Sequence, residues 1–123
     1  MTQSRSRIIL SLAALLGVAM IGGGLAKLVG QATQVEQFAT WGLPVWFRAL
    51  VGTFEVIGGI LLIVPFTTPA GSLILSTIMV GATWGHVVHN DWLHLIPSLV
   101  LLTLLLTIFR RNRAQAVQLL GGV

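Results

Sequence analysis

The chain is a series of long apolar runs broken by short polar or turn-forming stretches, and there are four runs: residues 8–29, 45–64, 70–89 and 92–109. The second holds 20 residues, and at 1.5 Å rise per residue it makes a helix of about 30 Å, the thickness of a bilayer's hydrocarbon core. The interruptions read as breaks. Residues 30–44 form the one sizeable loop, whose Val35, Phe38, Ala39 and Trp41 suit a short interfacial helix. PFTTP at 65–69 is a tight, uncharged turn, since two prolines four apart do not continue a helix. Asn90 suits the end of the third run, and Asp91 the N-cap of the fourth. RRNR at 110–113 stops the leucine-rich fourth run, and the ten residues after it are expected to form a surface turn. The pattern predicts an all-α polytopic membrane protein, one domain over 1–123, built as an antiparallel bundle of four transmembrane helices.

Polar positions inside the runs are few and regularly spaced. Arg48, Gly52, Glu55 and Gly59 fall at i, i+4, i+7 and i+11, one stripe on a helix, with Glu55 about half way across. An ionisable side chain at that depth costs from about 2.5 kcal/mol upward and faces other helices rather than lipid. Ala19, Gly23 and Lys27 make a second stripe. Thr77, Gly81, Gly85 and His89 make a third, in which Gly81 to Gly85 is a GxxxG spacing that predicts close helix approach. A cleaved signal peptide competes for the first run, because Gly24-Leu25-Ala26 has small residues at the right spacing. The run is longer than the usual 7–15 residue signal core, which favours a helix that stays.

Composition agrees with the pattern. Hydrophobic residues make up 55% and charged residues 8%, against about 25% charge in a soluble domain, and the mean hydropathy is +0.95. The net charge of +4 therefore says little about nucleic acid, and no nucleic-acid partner is expected. Five of the seven basic residues, Arg5, Arg7, Arg110, Arg111 and Arg113, lie at the two ends. With four spans both ends share one side, which the positive-inside rule makes cytoplasmic. The expected location is the cell membrane, in a bacterium the inner membrane. All four tryptophans (Trp41, Trp46, Trp84, Trp92) and all three histidines fall toward the opposite side, with Lys27, Glu36, Arg48 and Asp91. The tryptophans read as an aromatic belt, Trp84 being the one best placed to line a pocket. With no cysteine, the chain carries no thiol–disulfide relay, iron–sulfur ligand set or covalent haem attachment of its own.

Two constellations could carry chemistry. Lys27, Arg48 and Glu55 form either a pocket for a polar headgroup, a proton-relaying carboxylate, or an ion-pair network that fixes helix register. Arg48, near the interface, could also simply snorkel. The stretch HVVHNDWLH places His86, His89, Asp91 and His94 together. Those residues read as interfacial histidines bonded to carbonyls or lipid headgroups, as hydrogen-bond donors to a small molecule such as a quinone, or, more weakly, as zinc or copper ligands.

Gly22-Gly-Gly-Leu-Ala-Lys27-Leu28, then Phe47-Arg-Ala-Leu-Val-Gly52-Thr-Phe-Glu55-Val-Ile-Gly58-Gly59, then Met79-Val-Gly81-Ala82-Thr83 and His86, follow one another in order. In this succession the chain resembles the DoxX-like family of small four-helix membrane proteins, over roughly residues 7–109. The resemblance implies a quinone-linked setting, since the family takes its name from a small subunit of a thiosulfate:quinone oxidoreductase. It also implies an alternative, because vertebrate relatives look like assembly chaperones for membrane proteins. It points to Lys27, Glu55 and His86 as positions matching the family pattern. Other members keep cysteines that this chain lacks.

The expected function is an accessory or subunit of a membrane redox system, with a pocket in the outer half formed by Lys27, Arg48, Glu55, Trp84 and His86 and with quinone as the candidate cofactor. The alternative is a chaperone or interaction subunit without catalysis, docking a membrane partner or a second copy through its glycine stripes. A small-solute or proton carrier using Glu55 is the third reading. No residue set amounts to a complete catalytic apparatus.

Overall fold

The computed structural model describes residues 3–121, with side chains described for residues 7–112. The described residues form five α-helices: α1 (Gln3–Val29), α2 (Ala32–Thr40), α3 (Val45–Ile63), α4 (Thr68–Val88) and α5 (Trp92–Gly121). There is no strand among the described residues. Four helices, α1, α3, α4 and α5, are long and apolar enough to cross a membrane. α2 is the short helix anticipated in the loop, and it buries none of its residues.

The helices end where local chemistry ends them. Three close on a residue with positive φ, the left-handed geometry that glycine and asparagine tolerate. Gly30 (φ 75°) follows α1, Gly42 (φ 70°) follows α2, and Asn90 (φ 56°) follows α4. Each closure has the same outer hydrogen bond, from Gln31 N to Ala26 O, Leu43 N to Phe38 O and Asp91 N to His86 O. At the other end of the bundle, residues 65–67 form one 3₁₀ turn between α3 and α4. There the hydroxyl of Thr67 donates to the Leu61 carbonyl, and that of Thr68 to the Leu62 and Val64 carbonyls. These bonds occupy acceptors that the end of α3 would otherwise leave unpaired.

One sequence expectation fails at the C-terminus. The arginines at 110–113 do not stop α5, which continues to Gly121. Arginine is a good helix former, so a charge run marks a change of solvent without ending a helix. The side chains of Arg5 and Arg113 lie outside the described residues.

Packing follows chain order, α1 on α3, α3 on α4 and α4 on α5, while α1 and α5 scarcely touch. The tightest contact joins α1 to α3 through glycines. A Cβ on Gly24 would sit 2.6 Å from the Gly52 carbonyl oxygen, and one on Gly59 would sit 2.7 Å from the Gly17 carbonyl oxygen. α4 approaches α3 in the same way, with Gly71 against the Leu62 backbone nitrogen. Such close backbone approach is how small residues join helices in lipid. The apolar core, Ala13, Met20, Leu62, Leu75, Met79, Leu105 and Ile108, draws on the first two thirds of α1, the end of α3, the first half of α4 and the middle of α5. It closes the end of the bundle where α1 begins and α3 ends. Toward the α2 end, α5 stands off from α1 and α3.

Candidate functional site

The space left there is a cavity of about 690 Å³, floored by α4, walled by α3 and α5, and roofed by α2. The predicted stripe Thr77, Gly81, Gly85 and His89 lies along its floor. The GxxxG reading of this stripe is corrected by the structure. A side chain at Gly81 would meet nothing within 4 Å, and one at Gly85 would strike the Trp41 ring. Here the glycines make room for a cavity and for an aromatic side chain, and they do not bring two helices together.

Glu55 is 3% exposed, and its Oε1 lies 2.9 Å from Lys27 Nζ. The α1–α3 glycine contact explains the pair. Gly23 leaves room for the carboxylate, whose Oε2 lies 3.1 Å from where a Cβ would stand. Both partners line the cavity. Arg48 does not. Its Nε donates to the Lys27 backbone carbonyl at 3.1 Å, so it ties the start of α3 to the last turn of α1, where cations are favoured. The Arg48–Gly52–Glu55–Gly59 stripe is thus the face that α3 turns to α1, with only Glu55 reaching the cavity.

His86 is 6% exposed and lines the cavity. Its Nδ1 is buried without a hydrogen-bond partner, although Asp91 Oδ2 lies 3.3 Å away. The contact has the length of an ion pair but not the angles of a hydrogen bond. Asp91 reaches it because the left-handed Asn90 turns the chain back on the end of α4. The Asp91 carboxylate accepts from His94 Nδ1 at 2.8 Å, and that hydrogen bond is the main reason its pKa falls below the ordinary 3.8. His89 is held differently, with Nδ1 donating to the Gly85 carbonyl at 2.8 Å. Of the four residues considered as metal ligands, His86, Asp91 and His94 adjoin one another and His89 points elsewhere. No set of three His, Asp or Glu side chains has metal-holding geometry among the described residues.

Trp41 is the residue that sequence reasoning missed. It reads as one of four belt tryptophans, but Trp46, Trp84 and Trp92 are the exposed ones (67%, 71% and 56%). Trp41 stacks on His89 with ring centres 5.0 Å apart and meets His86 edge-on at 4.9 Å. Trp84 stands at the cavity's rim. Gln34 was also unforeseen: its Oε1 is buried and unpaired, on the part of α2 that roofs the cavity. The sequence signal for Trp41 was Gly85, a hole opposite an aromatic ring, which nothing in the linear pattern joins to residue 41; Gln34 had none.

A family model described as the DoxX-like family matches residues 11–108. No curated protein and no solved structure matches the chain significantly. The chain belongs to the DoxX-like family.

Proposed function

We propose that this membrane protein is the quinone-binding subunit of a redox system whose electron-transferring centre lies on a partner protein. The observation that carries the reading is the cavity, whose lining is largely apolar and aromatic and which carries among its polar groups the Lys27–Glu55 pair, His86 and Gln34. Such a lining suits a flat ring bearing oxygens at its edge. Unpaired polar atoms buried in the wall are costly unless something bonds to them, and Gln34 Oε1 is unpaired. In this reading Lys27 donates to a ligand oxygen while Glu55 balances its charge, and Trp41 packs against the ring. The sparse packing of α1 on α5 would let an apolar tail pass between them into lipid. A bound quinone would supply two-electron carrier chemistry, and the partner would supply the electrons.

We infer further that the α2 end faces outward and the end holding the termini faces the cytoplasm of a bacterial cell. The support is the arginine bias described above.

The test is a titration of the purified protein with decylbenzoquinone, read by tryptophan fluorescence. The expected result is saturable quenching, weakened roughly tenfold or more in Glu55→Gln, in line with loss of a hydrogen bond to a charged group. Quenching no greater than that of a tryptophan analogue dissolved in protein-free micelles would sink the reading.

A further inference from the structure

The three side chains His94, Asp91 and His86 run from water into the cavity, with side-chain exposures of 61%, 28% and 7%. The binding reading uses only the last. We propose that they form a proton route between water at the α2 end and a molecule bound in the cavity. His94 Nδ1 is 2.8 Å from Asp91 Oδ1 and His86 Nδ1 is 3.3 Å from Asp91 Oδ2, so one carboxylate lies between two imidazoles. The His86 and His94 rings are near parallel, with centres 5.8 Å apart. A small turn of the His86 ring would convert its contact with Asp91 into a hydrogen bond.

Protons balance in a simple way. A proton taken up at His94 Nε2 releases the one on Nδ1 to the Asp91 carboxylate. Asp91 passes a proton to His86 Nδ1, and His86 gives one up from Nε2 to a basic ligand oxygen. One proton leaves water, one reaches the ligand, and no electron moves. Run backward, the same chain takes a proton off a ligand hydroxyl. Other charged or titratable groups near His86 do not form part of the route. His89, at the C-cap of the same helix, is held to the Gly85 carbonyl and separated from His86 by Trp41. Lys27 and Glu55, from α1 and α3, are paired with each other in the cavity wall. α2 presents no charged side chain to the cavity.

The route draws its purpose from the cavity ligand proposed above, but its test does not need one. In ligand-free protein carrying ¹⁵N-labelled histidine, the exchange of the His86 imidazole N–H with water is measured by NMR. Exchange should slow on the order of tenfold or more in both His94→Phe and Asp91→Asn, as expected for loss of a positioned acid–base group. Asp91→Glu should restore much of it. Asn keeps a capping oxygen at the start of α5, and His94 is mostly exposed, so neither change disturbs the core. Equal exchange in wild type and both variants would overturn the proposal. If exchange responds while decylbenzoquinone fails to bind, the proton route stands and the quinone reading falls.

Discussion

Replacing Gly24 by alanine tests whether the charged pair depends on glycine packing. The new Cβ would lie 2.6 Å from the Gly52 carbonyl oxygen and 2.8 Å from the Val56 side chain. The oxygen is backbone and cannot swing aside. To reach an ordinary separation of 3.4 Å, the two helices must part by about 0.8 Å. Lys27 follows Gly24 by one turn and Glu55 follows Gly52 by one turn, so their 2.9 Å contact would stretch beyond hydrogen-bond length. Overpacking of this kind costs roughly 1–3 kcal/mol, whereas alanine gains about 1 kcal/mol in helix propensity over glycine. Gly22→Ala separates the two terms, because a Cβ on Gly22 would meet no neighbouring helix or side chain within 4 Å. Thermal unfolding in dodecylmaltoside, followed by circular dichroism, should show Gly22→Ala neutral or stabilised and Gly24→Ala less stable than Gly22→Ala by about 1–3 kcal/mol. The Lys27 amine should also become more reactive toward an acylating reagent in Gly24→Ala alone. Identical behaviour of the two variants would refute the packing account.

Other consequences are equally direct. Gly85→Ala should displace the Trp41 ring, which the new methyl would strike. A shift in tryptophan emission with helix content unchanged would register it; an unaltered spectrum would place Trp41 elsewhere. Asp91 has a folded-state pKa below 3.8, so the stability contributed by its contact with His94 is fully present above pH 3.8 and is lost as pH falls through the lower folded value. The Asp91 carboxyl, titrated by ¹³C NMR, should show a midpoint that rises toward 3.8 in His94→Phe. Because the chain has no cysteine, Thr33→Cys on α2 should react with an impermeant thiol reagent from outside intact cells, and labelling only after lysis would invert the proposed orientation.

Much of the fold was legible because a bilayer reduces it to length and hydropathy: four runs of spanning length became four spanning helices. Glu55 was legible for the same reason, since one carboxylate in a greasy helix has to face other helices. Its partner came from a shared small-residue stripe on α1, and Lys27 does reach it. What stayed hidden was rotation and depth. Arg48 shares a stripe with Glu55, yet it faces the end of α1 and not the cavity. Gly81 has the spacing of a contact residue but faces open space, because GxxxG says only that a surface is smooth. Trp41 and Gln34 depend on where α2 folds back, which is set by the left-handed turns at Gly30 and Gly42. The end of α5 was misread because arginines mark an interface as readily on a continuing helix as on a terminating one.

The most direct test of the central claim is mass spectrometry of lipids extracted from the detergent-purified protein, wild type beside Glu55→Gln. The account predicts a near-stoichiometric quinone in wild type and a clear loss of it in the variant. Lipid profiles that match each other and contain no quinone would contradict it, and would leave Lys27 and Glu55 as a structural pair.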